Sequence, residues 1–66
     1  MKNQFNISLI KKYIKDNNLT QSAFCKQCNI STYSLRKIFN NDFSVGIRQV
    51  YSVARTIKVD ICDLFL

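Results

Sequence analysis

The amino-acid sequence predicts an all-α domain of five helices. Proline is absent, glycine occurs once and 47% of the residues are hydrophobic, a composition that suits compact helices better than hairpins or disordered chain. Apolar residues recur at helical spacing, and residues that cap helices stand between the apolar runs. A chain of 66 residues buries only about 60% of the surface that its unfolded form exposes. We therefore expect one domain over residues 1–66, with a thin core.

Capping residues and the apolar period set the helix boundaries. The helices are predicted near residues 6–17, 21–28, 32–40, 46–58 and 60–65. The residues that can cap the first three helices through a side-chain oxygen are Asn6, Thr20 and Ser31. Asn18 and Asn29 can end the first two helices in the left-handed conformation that usually requires glycine.

In the longer helices the apolar residues fall on one side, which is expected to face the core. In the first helix they are Ile7, Ile10 and Ile14. In the third helix, "TYSLRKIFN", they are Leu35, Ile38 and Phe39. The opposite face of that helix is polar and basic, and it carries one aromatic side chain. The longest apolar period belongs to the fourth helix: Ile47, Val50, Tyr51, Ala54 and Ile57.

The charge of the chain limits its partners. Ten Lys and Arg residues oppose four Asp and Glu residues, and the net charge of +6 draws so small a protein to polyanions. Nucleic acid is the leading candidate, ahead of an anionic membrane surface. No apolar run approaches the ~20 residues that span a bilayer. The first residues, "MKNQFNIS", lack the apolar segment of a secretory signal, so we expect a cytoplasmic protein.

The C-x-x-C spacing of Cys25 and Cys28 raises the question of a metal or redox site. A structural zinc site needs four ligands, and the chain adds only Cys62 and no His. Burial as small apolar side chains, reversible thiol chemistry and metal binding are the three interpretations. We expect no metal, cofactor or small-molecule ligand. Without His, a nucleophile beside a base or a glycine-rich phosphate loop, we also expect no enzyme activity.

Two short helices separated only by "NIS" form a helix-turn-helix pattern, in which the second helix enters the DNA major groove. The runs "LTQSAFCKQCNISTYSLRKIF" and "IRQVYSVARTIKVDICDLF" resemble the lambda-repressor-like, Xre-type helix-turn-helix domains of bacteria and their phages. The most specific parts are "LTQ", "IS" before the third helix, and the closing "VDICDLF". The resemblance covers almost the whole chain and implies a compact five-helix domain.

Some positions depart from the family pattern. Asn29 and Asn41 replace glycines in the turn and after the third helix, and Asn tolerates positive φ better than most residues. Ile14 and Phe39 replace an Arg–Glu pair that members commonly share. Because loss of one partner alone would strand a buried charge, we expect Ile14 and Phe39 to touch. The family register places Cys25 and Cys28 in the core. It places Cys62 in solvent.

The resemblance implies that the third helix reads bases with its outward side chains. The base-reading candidates are Thr32, Tyr33, Arg36 and Lys37. Tyr33 can pack against thymine methyl groups, and Lys37 can donate to guanine O6 and N7, a contact worth ~1–3 kcal/mol of discrimination. The alternative for each of them is a solvated side chain on a helix surface.

Polar residues around that helix are expected to contact backbone phosphates. Gln21 starts the second helix, where unpaired N–H groups and the helix dipole favour an anion, and the family places its Gln there in that role. Alternatively, Gln21 only supports the Thr20 cap. The other phosphate-binding candidates are Ser31, Asn40, Asn41, Ser44 and Arg48. Asn40 and Asn41 are also expected to form the turn after the third helix.

Binders of this type usually bind as homodimers to half-sites ~34 Å apart. The dimer-interface candidates lie at the apolar end of the sequence: Ile61, Leu64, Phe65 and Leu66. The alternative is that Ile61, Leu64 and Phe65 only close the core of the monomer.

The leading hypothesis is a small sequence-specific regulator of transcription, a Cro-like or Xre-type repressor that binds a palindromic operator in double-stranded DNA. The alternative is a protein-interaction module, such as an antitoxin or anti-regulator, that uses the same fold to hold a partner. The basic outer face of the third helix favours DNA. Salt dependence separates the two hypotheses, because phosphate neutralisation gives a steep salt slope and an apolar protein interface does not.

Overall fold

The computed structural model of the protein describes residues 4–66, and this part of the chain is all-helical. The four α-helices are α1 Ile7–Asp16, α2 Gln21–Cys28, α3 Thr32–Phe39 and α4 Ile47–Ile57, and a 3₁₀ turn, Ile61–Leu64, follows them. α4 packs against α2 and the 3₁₀ turn, and α2 packs against α3. The all-α prediction is confirmed for these residues. None of the helices they form is long and apolar enough to cross a membrane.

The three predicted side-chain caps are confirmed. Asn6, Thr20 and Ser31 each accept a hydrogen bond from the backbone N–H three residues further on, at 3.4, 3.0 and 3.1 Å respectively. Each bond satisfies one of the N–H groups that the first turn of a helix leaves unpaired. α1, α2 and α3 therefore begin where their capping residues predict.

Asparagine replaces glycine where the chain turns sharply. Asn18, Asn29 and Asn41 have φ values of 54°, 58° and 56°, which confirms the predicted left-handed turns. Lys58, with φ 63°, ends α4 in the same conformation, which the sequence did not indicate. The helices are therefore separated by tight turns although the chain has a single glycine.

The fifth predicted helix, near residues 60–65, is a single 3₁₀ turn and not an α-helix. Phe65 has extended backbone, with φ −115° and ψ 139°, and it forms an antiparallel bridge with Phe5. The backbone N–H of Asn6 donates to the Leu64 carbonyl at 2.6 Å. A carbonyl that a longer helix would use internally is therefore bonded to the N-terminal segment, which ends the helix after one turn.

The core is a single apolar cluster to which all four helices and the 3₁₀ turn contribute. Its buried members are Phe5, Ile10, Phe24, Cys25, Cys28, Leu35, Ile38, Val45, Val50, Val53, Ala54, Ile57 and Leu64. Among residues 4–66, no polar or charged side chain is buried. Apolar burial and helix capping therefore account for most of what holds the described chain together.

The buried side of α4 differs from the predicted apolar period. Val50, Val53, Ala54 and Ile57 face the core, but Ile47 and Tyr51 are 64% and 54% exposed. The prediction that Ile47 and Tyr51 face the core is therefore wrong. The reason is geometric, because the apolar arc around α4 is wider than the surface that the rest of the chain covers.

The expected contact between Ile14 and Phe39 stays a prediction. Both side chains are half-buried and pack against the core. The Lys11 ammonium nitrogen lies 5.5 Å from the centroid of the Phe39 ring. Because Lys11 and Ile14 are three residues apart on one side of α1, this places the relevant turn of α1 near the end of α3.

The cysteines divide as the family register predicts. Cys25 and Cys28 are each 3% exposed and belong to the core, whereas Cys62 is exposed. Burial raises the pKa of both core thiols, and the hydrogen bond between Cys28 and Thr56 partly offsets this for Cys28. The C-x-x-C pair therefore packs as small apolar side chains, and neither thiol is activated.

We predict that one thiol of the native protein reacts rapidly with Ellman's reagent at pH 8 and that all three react after unfolding in guanidinium chloride. The Cys62→Ser variant should show no rapid reaction. Since ionisation of the core thiols favours the unfolded chain, the free energy of unfolding should also fall as the pH rises above the usual thiol range. Rapid reaction of Cys25 or Cys28 in the native variant would contradict this assignment.

A second prediction concerns Asn41, whose side-chain oxygen accepts a hydrogen bond from the Phe5 backbone N–H at 2.7 Å. Asn41→Gly and Asn29→Gly relieve the same left-handed strain, but only the first removes that bond. Asn41→Gly should therefore unfold with a free energy about 1 kcal/mol below that of Asn29→Gly in urea titrations. Equal free energies for the two variants would mean that the bond contributes nothing.

Candidate nucleic-acid interface

The outer side of α3 brings the four predicted base-reading residues together. Leu35 and Ile38 are each 1% exposed and fix the inner side of the helix. Thr32, Tyr33 and Arg36 are exposed, and Lys37 is partly exposed. At 3.6 residues per turn, the four side chains span an arc of about 140° away from the core. They form one continuous outward face, which we call the α3 face: Thr32, Tyr33, Arg36 and Lys37.

An aromatic ring and an ammonium group are paired on the α3 face. The Lys37 nitrogen lies 4.8 Å from the centroid of the Tyr33 ring, within the range of a cation–π interaction. The two residues are four apart, so the helix itself brings them together. Tyr33 remains 66% exposed. A flexible lysine is thereby partly ordered above a ring that is free to contact a ligand.

α2, α3 and the turn between them contain no acidic residue. Residues 20–41 contain Lys26, Arg36 and Lys37 and no Asp or Glu. The only ion pair within residues 4–66 joins Lys12 to Asp16, at 3.2 Å on α1. The cations of α2 and α3 are therefore available to an anionic partner.

Gln21 lies at the start of α2, and its phosphate-binding role stays a prediction. Gln21 is the first residue of α2 and is exposed. The Thr20 hydroxyl already accepts the Ala23 N–H at 3.0 Å, so the cap does not depend on Gln21. Within residues 4–66 the Gln21 amide makes no hydrogen bond, and it lies at a helix N-terminus, where the dipole favours anions.

Two of the other phosphate-binding candidates flank α3. Ser31 is exposed at its start, and its hydroxyl accepts the Ser34 N–H at 3.1 Å while lying 3.1 Å from the Ser34 hydroxyl oxygen. Asn40 is exposed at its end, where its backbone N–H closes the helix on the Arg36 carbonyl at 3.0 Å. The Ser31 hydroxyl thus already has a structural function. Within residues 4–66 the Asn40 side chain makes no hydrogen bond.

Asn41 and Ser44 are less available for a phosphate than the sequence predicts. The side-chain oxygen of Asn41 is bonded to Phe5. The Ser44 backbone N–H donates to an Asp42 carboxylate oxygen at 3.0 Å. Hydrogen bonds from Ser44, together with the Lys37 charge, hold the pKa of the Asp42 carboxyl below its usual value. A carboxylate therefore lies where a phosphate was expected.

Asp42 is a charged residue beside the α3 face that the sequence reasoning did not single out. It is exposed and follows α3 within three residues of Phe39. The signal was present in the sequence, because Asp two residues before Ser in a loop is typical of a side-chain turn. Its negative charge lowers the potential at the end of the α3 face.

Arg48 lies outside the α3 face. It is exposed in the first turn of α4 and lines a shallow groove with Ile47, Tyr51, Ser52 and Arg55. The structure thus groups Arg48 with the exposed apolar residues of α4 and not with the side chains of α3.

The predicted dimer-interface residues separate into different environments. Leu64 is 1% exposed and belongs to the core, so it offers no surface to a second copy. Phe65 is half-buried, with its ring 5.4 Å from that of Phe5. Ile61 also packs against the core, and Leu66 is 50% exposed. Leu64 therefore closes the core of the monomer and is not part of a dimer interface, because the 3₁₀ turn packs against α4.

Within residues 4–66 no cluster of three or more potential metal-ligating side chains forms. Comparisons with protein-family models, with curated proteins and with solved structures gave no match to this chain. The resemblance stated from the sequence motifs therefore stays an expectation, and function is inferred from the α3 face and its surroundings.

Proposed function

We propose that the protein is a sequence-specific regulator that binds double-stranded DNA, with α2 and α3 as a helix-turn-helix and α3 in the major groove. The observation that carries the proposal is the α3 face, where Tyr33, Arg36 and Lys37 point outward from a helix that contains no acidic residue. Such a face suits an anionic ligand with hydrogen-bonding edges, and duplex DNA presents both in its major groove.

The connection between α2 and α3 supports the assignment of a helix-turn-helix. Only residues 29–31 separate the two helices. Asn29 turns the chain through a left-handed conformation, and Ser31 caps α3 at once. A turn of three or four residues between two packed helices is typical of the motif. α2 then crosses the DNA backbone while α3 enters the groove.

Side-chain chemistry gives each residue of the α3 face a role. An α-helix with its side chains is about 10–12 Å wide and fits the major groove, which is about 12 Å wide. Lys37 donates to guanine O6 and N7, and the ring of Tyr33 contacts thymine methyl groups beside it. Arg36 reaches a base or a phosphate, and Thr32 offers a hydroxyl and a methyl group. Gln21 and Asn40 bind phosphates at the two ends.

A second copy is part of the proposal. The longest dimension of the described chain is 33 Å, close to the ~34 Å that separate successive major grooves on one side of a duplex. Two copies can therefore lie on successive major grooves without overlapping, so that a homodimer covers the two half-sites of a palindrome. Repression is the expected effect of a small protein that occupies its operator in this way.

One observation favours a second candidate function, a module that binds another protein. Ile47 and Tyr51 on α4 are largely exposed apolar side chains, and exposed apolar surface marks protein interaction sites. The α3 face does not fit this function, because it is polar and basic. Steep salt dependence of binding would favour DNA, and weak salt dependence would favour a protein partner.

We predict that duplexes selected from a random pool at about 0.15 M salt share a palindromic motif. The Lys37→Ala variant should select a motif with relaxed preference at the guanine positions, because it loses a contact worth about 1–3 kcal/mol. Lys15→Ala is the matched control, since it removes one exposed cation from α1 and leaves the α3 face intact. It should retain the motif.

Two results of this selection would contradict the proposal. The first is no enrichment, with binding that disappears when salt is added, because it would reduce the α3 face to nonspecific attraction. The second is a motif that changes equally with Lys15→Ala and Lys37→Ala, because base reading would then not reside in α3.

A further prediction uses the carboxylate beside Ser44. Asp42→Asn keeps an oxygen that can accept the Ser44 N–H but removes the charge, so affinity for duplex DNA should rise about two- to threefold at 0.15 M salt. Asp63→Asn changes the net charge equally from the exposed 3₁₀ turn and should have a smaller effect. Fluorescence anisotropy with a labelled duplex measures both. An equal rise in the two variants would mean that Asp42 does not lie close to the phosphates.

A further inference from the structure

α4 presents two apolar side chains that residues 4–66 leave uncovered. Its inner side is buried at Val50 and Val53, yet Ile47 and Tyr51 are 64% and 54% exposed. Neither of these two side chains belongs to the core or to the half-buried residues that pack against it. They are four residues apart and therefore neighbours on the surface of the helix. Contiguous exposed apolar surface of this kind marks a site that another molecule covers.

The other large exposed apolar residues in the described chain do not form such a pair. Tyr33 lies under the Lys37 ammonium group. Phe43 stacks on Phe5, with ring centroids 4.4 Å apart. Leu66 is a single exposed side chain at the end of the sequence, and isolated exposed apolar residues are ordinary. The outer side of α4 is therefore where residues 4–66 leave the most apolar surface without a partner.

Two arginines lie along one edge of this apolar surface. A shallow groove on α4 is lined by Ile47, Arg48, Tyr51, Ser52 and Arg55. At 3.6 residues per turn, Arg48 and Arg55 project within about 20° of each other and follow Tyr51 around the helix by about 40–60°. They are seven residues apart, so about 10 Å separates them along the helix axis. We call this surface the α4 strip: Ile47, Arg48, Tyr51 and Arg55.

The α4 strip has a net positive charge. Residues 43–59 contain Arg48, Arg55 and Lys58 and no Asp or Glu. All three cations are exposed, and within residues 4–66 none of them belongs to an ion pair. One carboxylate, Asp60, lines an adjoining groove that shares Tyr51 and Arg55 with the strip. The strip therefore combines apolar side chains with positive charge that one carboxylate does not balance.

This combination discriminates between the molecules that could cover the strip. A second copy of the chain is disfavoured at this surface, because both copies carry +6 and each would bring Arg48 and Arg55 to the contact. The backbone of a duplex offers phosphates to the arginines but no apolar surface to Ile47 and Tyr51. A protein surface with apolar and acidic side chains next to each other matches both parts of the strip.

We propose that the α4 strip binds an acidic amphipathic helix of another protein. The apolar side of that helix covers Ile47 and Tyr51, and carboxylates along its neighbouring side pair with Arg48 and Arg55. Because the arginines are seven residues apart, two carboxylates seven residues apart match them when the helices lie side by side. Apolar residues at helical spacing are the usual anchors when a helix binds in a groove. The inference goes beyond the proposed function and does not rest on it, since no residue of the strip belongs to the α3 face.

A designed helical peptide tests the α4 strip on the full chain without DNA. The probe is an alanine-based peptide of about 20 residues, with a stripe of Leu on one side and Glu on both flanks of that stripe. Two matched peptides replace Glu by Gln or Leu by Ser. In fluorescence anisotropy at about 0.15 M salt, the first peptide should bind at least about tenfold more tightly than either control, because only it fits both parts of the strip. Its amide shifts in nuclear magnetic resonance should concentrate at residues 47–55.

Charge exchange gives a test that misfolding cannot imitate. The double variant Arg48→Glu, Arg55→Glu should bind the Glu peptide at least about tenfold more weakly than the wild type does. It should also bind a peptide with Lys in place of Glu more tightly than the wild type does, which requires a folded strip. Lys15→Glu, Lys26→Glu changes the net charge equally from exposed sites outside the strip. It should bind the Glu peptide within about twofold of the wild type, because salt screens distant charges.

Four results would overturn the inference. Equal binding of the three peptides, or equal losses in the two double variants, would reduce it to general attraction by a basic chain. Self-association of the chain without peptide that Tyr51→Ser abolishes would assign the strip to a second copy. Amide shifts at residues 47–55 with phosphatidylglycerol vesicles but not with the Glu peptide would assign it to a membrane surface. DNA selection by a chain that binds no peptide overturns the inference alone, and peptide binding without DNA selection contradicts the proposed function alone.

Discussion

Burial of Leu35 and Ile38 decides which side of α3 meets solvent, and the candidate interface depends on that orientation. Each side chain is 1% exposed, and full burial of a Leu or Ile is worth about 1.5–3 kcal/mol. A shift of the helix by one residue would rotate its faces by about 100° and bring Tyr33 toward the core. The thin core therefore does two things at once, since it stabilises the domain and presents the α3 face.

The turns around α3 keep that orientation without glycine. Asn29 and Asn41 adopt left-handed conformations at the two ends, and the Asn41 side chain also binds the backbone of Phe5. Phe5 in turn pairs with Phe65 in an antiparallel bridge. The end of α3 is thus connected to both ends of the described chain by a few hydrogen bonds. Asn41 therefore has two structural roles: it forms the turn after α3, and its side chain binds a backbone group 36 residues away in the sequence.

Much of this arrangement could be predicted because it is encoded locally. A capping oxygen at Ser31, or an asparagine at Asn29, acts within a few residues, so its role is readable in the sequence. The core positions of Cys25 and Cys28 were expected from the register of the family that the sequence resembles, and both side chains are buried. The prediction of a fifth α-helix failed because it depends on contacts between residues far apart in the sequence. The carbonyl of Leu64 is bonded near the start of the chain, which ends a helix that local propensity would allow.

The width of an apolar arc is another property that sequence alone does not resolve. The period through Ile47 and Tyr51 is that of a buried face, but residues 4–66 leave both side chains largely exposed. The candidate site shows the same limit, because Asp42 affects it through a turn with Ser44 and through its distance to Lys37. The residues of the α3 face could be predicted from the sequence. The effect of the Asp42 charge at the end of that face could not.

Nuclear magnetic resonance of the nitrogen-15-labelled protein, titrated with a selected duplex, tests the DNA-binding face most directly. Amide shifts should concentrate at Gln21 and across residues 31–40, with small changes in the lysine-rich turns of α1. Shifts that are largest at Lys11 and Lys15, or that are spread evenly over every exposed cation, would contradict docking through α3. They would leave only the general attraction of a basic protein to DNA.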